Sequence, residues 1–260
     1  MSVRVLQLKA LAGLSIMELY RRKDLLVVFV LSAVILLPLS VLKPFGVAGA
    51  SRYVTEMALL LVWLFSLVIG LGVSMRLFPP EFESRTIYPM LAKPVGRGTL
   101  LLGKYLGALA ASVSALAVFY LAYGILAGVR QGVWFPLILL QAFVLHIGFM
   151  VVVTALGLTG SLFMTGSANL TLNVLLTVGM LFFGQRLPAL AAAQPVPGKW
   201  VLTLFHWVGP HMEFFDLRQR VVHDWPPLGW SVCLSVSAYA LCYAAVCLTL
   251  AECIFRKKKI

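Results

Sequence analysis

Six runs of apolar residues, each long enough to cross a lipid bilayer, constrain the fold of this chain more than any other feature. A spanning helix needs about 20 mostly apolar residues to cross a hydrocarbon core of about 30 Å. The backbone of such a segment must pair all its polar groups internally, and the strict alternation of a membrane barrel is absent, so the runs predict helices. The predicted spans are Leu25–Leu42, Val54–Met75, Leu100–Ala127, Pro136–Met164, Ala168–Leu187 and Leu228–Phe255.

The composition agrees with a membrane protein. Of the 260 residues, 61% are hydrophobic and only 12% are charged, whereas soluble domains carry roughly 25% charged residues to solvate their surface. Lipid must therefore replace water around most of the chain. The fold class predicted is an all-α membrane protein, built as a single transmembrane domain over residues 1–260.

The basic residues predict the orientation, because cytoplasmic loops carry an excess of Lys and Arg. With six spans, the first side holds Arg4, Lys9, Arg21, Arg22, Lys23, Arg76, Arg85, Lys93, Arg97, Lys104, Arg256, Lys257, Lys258 and Lys259. The other side holds Lys43, Arg52 and Arg130 and four more in a long fifth loop. We expect a multi-pass protein of a bacterial inner membrane with both termini cytoplasmic. The net charge of +12 then reflects contact with anionic membrane lipids, and not with nucleic acid.

Two segments outside the spans have an amphiphilic pattern. Residues Val3 to Tyr20 place apolar side chains near one face, which predicts an amphipathic helix lying in the membrane interface; a short frayed tail is the alternative. The segment Gly184–Gly229 is too long for a tight turn and is rich in aromatic residues. It predicts short helices that re-enter the outer leaflet before the last span.

The sequence offers no clear catalytic or nucleotide-binding constellation. Residues Gly98–Tyr105 match a phosphate-binding P-loop except at the last position, where Tyr105 replaces the Ser or Thr that holds magnesium. We interpret Lys104 as a membrane-boundary residue, and Gly103 and Gly107 as small residues for close helix packing. The chain is predicted not to be an enzyme and to bind no cofactor itself.

The four histidines and four cysteines are further candidates for a specific role. His146, deep in the fourth span, suits either a hydrogen-bonded structural role or proton relay, while Glu252 is placed to pair with Arg256. The outer candidates for binding a metal, particularly a soft one, have an irregular spacing, so no metal site is predicted and metal binding is the alternative: His206, His211, Met212, Glu213, Asp216, His223 and Asp224. The cysteines, which we interpret as reduced apolar filler, are Cys233, Cys242, Cys247 and Cys253.

Two polar stripes lie within spans. Ser66, Gly70 and Ser74 recur every four residues in the second span, and Asn169, Asn173 and Thr177 do the same in the fifth. Polar residues inside a membrane are costly unless they face protein or water. The stripes therefore predict a translocation path or a dimer interface, with packing inside the helix bundle as the alternative.

A charged segment, Arg76–Gly107, separates two apolar runs. Within it, Glu83, Thr86, the run Lys93–Arg97 and the run Gly103–Gly107, together with Pro210–His223 before the last span, resemble ABC-2 type permeases. The resemblance is to the multicopper-enzyme-maturation branch, which includes the NosY-like permeases. One departure is Asp224-Trp225, where relatives tend to have a glycine, so the geometry of this outer turn need not follow theirs.

The resemblance implies a coupling helix over about Pro80–Leu91 that sits in a groove of a separate ABC ATPase. Its exposed polar contacts would be Glu81, Glu83 and Arg85, and its apolar anchors Phe82 and Tyr88. The turn Met164–Ala168 would be a second contact. The resemblance also implies a homodimer, or a heterodimer with a related permease, with ATP and Mg²⁺ held by the partner ATPase.

The expected function is therefore a permease subunit of an ATP-binding cassette transporter, acting as an exporter. The alternative is a membrane scaffold or assembly factor for a periplasmic enzyme, such as a copper enzyme, without substrate transport. In that case the Gly184–Gly229 segment would anchor the periplasmic accessory protein.

Overall fold

The computed structural model describes residues 3–21, 50–85, 96–132 and 134–258. These residues form helices and turns, with no strand among them. The predicted first span, Leu25–Leu42, lies outside the described residues, as do Thr86, Tyr88 and the Lys93-Pro94-Val95 run.

Ten α-helices occur in the described part of the chain. We number them α1 Val3–Arg21, α2 Ala50–Ser74, α3 Pro79–Glu83, α4 Arg97–Gln131, α5 Leu137–Ser161, α6 Gly166–Phe183, α7 Leu187–Ala192, α8 Gly198–Val208, α9 Arg218–Val222 and α10 Trp230–Lys257. Short 3₁₀ turns cover Gly184–Arg186 and Met212–Phe215.

Five of the described helical segments are long and apolar enough to cross a membrane, and they coincide with the second to sixth predicted spans. Their ends differ from the predicted ones for local reasons. The third is longer, because α4 begins at the extended Gly96 and continues to Gly132, which has a φ of 72°. The fifth is shorter, because α6 gives way to a 3₁₀ turn at Gly184 before the next helix begins at Leu187.

The core of the bundle is organised around α5, the most buried of the five span helices. Helices α2, α4, α6 and α10 all pack against it. Since α5 is apolar on all sides and mostly buried, it lacks the one-sided pattern of a surface helix. The bundle therefore has a central helix that the other spans surround.

Helix α1 lies where the N-terminal helix was predicted and packs along α4. Its placement in the membrane interface stays a prediction. The Leu11 side chain lies so close to Gly103 that any side chain at position 103 would collide with it. Gly103 therefore serves close helix packing, as the small-residue pattern predicted, and its neighbour is α1.

The segment between α6 and α10 contains the predicted short helices: α7, α8 and α9. Helix α8 is exposed on several sides, with Trp200 70% and Trp207 80% accessible. Helix α9 instead packs on α2 and α5. Placement of these helices in the outer leaflet stays a prediction.

Candidate functional site

One end of the bundle, which we call the α3 end, gathers α3, the start of α4, the α5–α6 turn and the end of α10. Helix α3 begins at Pro79 and Pro80, whose fixed φ suits the first helical turn. It ends after one turn: Ser84 donates its hydroxyl to the Pro80 carbonyl at 2.6 Å, and Arg85 has a φ of 56°. The chain therefore leaves the helix sharply at Arg85.

Glu81 faces the bundle and not the solvent. Its carboxylate forms an ion pair with the Lys104 ammonium, and the two side chains are only 14% and 6% exposed. Lys104 Nζ also donates to the Leu77 carbonyl at 2.7 Å and lies 4.9 Å from the centroid of the Phe78 ring. The expectation that Glu81 is an exposed contact is thus wrong, because this residue pairs with a buried lysine of α4.

The other predicted contacts of α3 divide between the two faces. Glu83 and Arg85 are exposed. Phe82 packs against Phe78, with ring centroids 5.9 Å apart, and against the ammonium of Lys258. In this structure Phe82 therefore anchors α3 to its own chain, and a role in contacting an ATPase stays a prediction for Glu83 and Arg85.

The end of α10 is also tied into the α3 end. Arg97 donates to the carbonyls of Phe255 and Arg256, both at 3.0 Å, and of Lys258 at 3.4 Å. Lys258 Nζ donates to the Leu162 carbonyl at 2.7 Å and lies 3.7 Å from the centroid of the Phe82 ring. Partial burial lowers the pKa of Lys258. The basic C-terminal tail was the one sequence feature that could have indicated these contacts, and the orientation rule already accounted for it.

Both polar stripes pack against α5, and both reach Gly157 of that helix. Met150 covers Gly70, while Ser74 lies against Gly157 so closely that no side chain fits at position 157. All six members of the two stripes are buried, and the polar ones are at most 3% exposed: Ser66, Gly70, Ser74, Asn169, Asn173 and Thr177. In this structure they pack inside one chain, and a role at a dimer interface stays a prediction. A role in a translocation path stays a prediction.

Hydrogen bonds fix the α6 stripe to α5. Asn169 Nδ2 donates to the Gly157 carbonyl at 2.8 Å, and Asn173 Nδ2 donates to Asn169 Oδ1 at 2.6 Å. The Asn169 side chain also fills the space beside Gly160. The bond to Gly157 joins two spans, whereas the bond from Asn173 lies within α6 and orients the Asn169 amide.

Comparison with known families decides the identity of this bundle. Residues 50–260 match the family described as ABC-2 family transporter protein. The chain belongs to this family. No curated protein matches the sequence.

Family membership and the five apolar helices make this chain a multi-pass integral membrane protein and a permease component of an ABC transporter. Such a permease works with an ABC ATPase subunit. The near-P-loop of this ABC-2 protein, Gly98–Tyr105, lies entirely within α4. Its Lys104 is committed to Glu81 and the Leu77 carbonyl.

His146 of the ABC-2 protein is fully buried in a hydrogen-bonded cluster. Its Nε2 lies 2.7 Å from Ser66 Oγ, and its Nδ1 lies 3.2 Å from the Tyr120 hydroxyl. The ring stacks on Trp63 with centroids 4.4 Å apart. Both ring nitrogens thus have neutral partners, which favours the structural interpretation over proton relay.

The outer histidines of the ABC-2 protein are divided between two places. His206 and His211 have ring centroids 4.7 Å apart, and His211 Nδ1 lies 3.1 Å from Glu213 Oε1, whereas His223 stacks on Trp225. Asp216 instead pairs with Arg218 at 2.7 Å. Within the described residues, no three His, Cys, Asp or Glu side chains converge as a metal site requires.

Proposed function

We propose that this chain is the membrane-spanning subunit of an exporter whose ATP hydrolysis takes place in a separate ATPase subunit. On this proposal the chain binds no nucleotide, and ATP and Mg²⁺ are held by its partner. The observation that carries the proposal is the α3 end. There Glu83, on a short helix, and Arg85, just after it, are exposed, and an ion pair and two aromatic rings fix that helix to the bundle.

The rigidity of this attachment is what force transmission requires. Helix α3 has a single turn, so it has little intrinsic stability of its own. The Glu81–Lys104 ion pair joins it to α4, and the contact between Phe82 and Lys258 joins it to α10. A push on Glu83 and Arg85 would therefore move span helices, and would not simply unfold the loop.

We further propose that two such subunits, identical or related, enclose the substrate path. They would lie in a bacterial inner membrane with both termini cytoplasmic. The likeness of Pro210–His223 to the multicopper-enzyme-maturation branch supports placing the chain among NosY-like permeases. Exposed apolar faces on α6 and α10, including Leu175 and Leu234, are available to lipid or to the second subunit.

Co-purification tests the proposal. The tagged chain is expressed together with an ABC ATPase subunit from the same organism, and the ATPase recovered from detergent extracts is measured. We expect Glu83→Ala/Arg85→Ala to lower recovery about tenfold, which corresponds to about 1.4 kcal/mol of contact energy. Lys199→Ala, an exposed change on α8, is the control. Undiminished recovery with the double variant would reject the proposed contact.

The scaffold alternative rests on a different surface. Helix α8 exposes Trp200, Leu204 and Trp207, and a periplasmic accessory protein is one candidate to cover them. Under this alternative, maturation of the periplasmic enzyme continues when the partner ATPase is inactivated, and Trp207→Ala abolishes it. Under the transporter proposal, ATPase inactivation stops function.

A further inference from the structure

Lys258 contacts two segments of the α3 end that are far apart in sequence, the α5–α6 turn and α3. Its ammonium donates to the carbonyl of Leu162, the residue that follows α5, at 2.7 Å. The same ammonium lies 3.7 Å from the centroid of the Phe82 ring of α3. A cation this close to an aromatic face is attracted to it, so one side chain joins α3 to the α5–α6 turn.

The backbone that carries Lys258 is itself held in place. The last carbonyls of a helix have no partner within the helix, and at the end of α10 Arg97 supplies donors to three of them. The Phe255 ring packs on Phe78 with centroids 5.4 Å apart. Lys258 therefore leaves α10 from a fixed position and does not reach its two partners as a flexible tail.

We propose that Lys258 is a positioning residue that holds α3 and the α5–α6 turn together as one surface, on which the ATPase docks. The inference rests on the proposed function for the identity of the docking partner. It adds that the two loops act as a single unit, and that the residue joining them comes from the C-terminal end of the last span.

Neighbouring residues provide matched variants. Lys257 has the same charge but an exposed side chain, so Lys257→Met removes a cation without touching the link. Lys258→Met keeps most of the length of the side chain and removes its charge. Lys258→Arg restores a cation that is able to donate to Leu162 and to lie over Phe82.

The first measurement is a distance between spin labels in the purified chain. Cysteines are placed at two exposed positions, Glu83 of α3 and Thr165 before α6, after replacement of the native cysteines by alanine. We expect narrow distance distributions with Lys258, Lys257→Met and Lys258→Arg. Lys258→Met should increase the width of the distance distribution at least about twofold, because the contact that holds the two loops at one distance is lost. An unchanged distribution in Lys258→Met would overturn the inference.

The second measurement is recovery of the ATPase with unlabelled variants. Lys258→Met should lower it about fivefold while Lys257→Met and Lys258→Arg leave it unchanged. Circular dichroism and a monodisperse elution profile show that each variant is folded. A broadened distribution with normal ATPase recovery would overturn the docking role of the joined surface. If the unmodified chain recovers no ATPase, the proposed function fails, and the distance distributions alone decide whether Lys258 joins the loops.

Discussion

At the scale of single residues, the ion pair between Glu81 and Lys104 has a direct consequence for stability. Removing one partner of a buried ion pair costs about 3–5 kcal/mol, and because Glu81 keeps 14% exposure we expect about 2 kcal/mol for Glu81→Gln. The midpoint of thermal unfolding in detergent should then fall by about 5 °C.

Two further variants distinguish this pair from a general effect of charge. Glu83→Gln removes an exposed carboxylate from the same helix and should change the midpoint by less than about 1 °C. Lys104→Met combined with Glu81→Gln should recover part of the loss, because no buried ammonium is then left without its carboxylate. Equal destabilisation by Glu81→Gln and Glu83→Gln would contradict the inward orientation of Glu81.

Asp224 is a second residue with a testable conformation. Its φ of 51° lies in the left-handed region, which costs most residues about 1–2 kcal/mol and glycine almost nothing. Asp tolerates this region better than most residues do, which explains how this turn forms without a glycine. We expect Asp224→Gly to raise the thermal midpoint by a few degrees and Asp224→Val to lower it; the opposite order would contradict the turn.

At the scale of helices, the contact between α5 and α6 depends on a missing side chain. A Cβ atom at Gly160 would overlap Asn169 Oδ1, so Gly160→Ala must displace Asn169 from its bond to the Gly157 carbonyl. Overpacking of this kind costs about 1–3 kcal/mol. We expect a clear fall in the thermal midpoint and in the monodisperse fraction after extraction.

Gly179 of α6 provides the control for this prediction. No atom lies within 4 Å of the position its Cβ would take, and alanine favours a helix over glycine by about 1 kcal/mol. Gly179→Ala should therefore be neutral or stabilising. Asn169→Ala combined with Gly160→Ala should cost less than the sum of the single changes, since the overlap is relieved; strict additivity would argue against the contact.

The helices also show where sequence patterns are sufficient. The length of the apolar runs predicted all five described spans. This is because the requirement to pair the backbone in lipid acts on each segment separately. Which neighbour a polar stripe faces depends on how the helices pack. The sequence alone therefore did not predict that Asn169 and Ser74 both face α5. Helix α3 is too short for periodicity to assign Glu81 to an inner face, and the links from Arg97 and Lys258 join residues more than 90 positions apart.

At the scale of the whole molecule, the two ends of the bundle differ in their charge. At the α3 end, basic residues outnumber the carboxylates Glu81, Glu83 and Glu252: Arg76, Arg85, Arg97, Lys104, Arg256, Lys257 and Lys258. The opposite end mixes Arg218 and Arg220 with Asp216 and Asp224. An excess of Lys and Arg marks the cytoplasmic side of membrane proteins. The contacts of Lys258 with Phe82 and Leu162 place three loops at the basic end.

Labelling of single cysteines in intact cells and in inverted membrane vesicles tests this orientation. In a cysteine-free background, cysteines at Glu83, Thr165 and Lys257 should react with a membrane-impermeant maleimide only in inverted vesicles. Cysteines at Gln194 and Asp224, exposed at the opposite end, should react only in intact cells. A helical bundle with these contacts cannot place Lys257 and Glu83 on different sides, because Lys258 and Phe82 touch. Labelling of Glu83 and Lys257 from opposite sides would therefore contradict the fold, whereas labelling of both from outside would leave the fold intact and reverse its orientation.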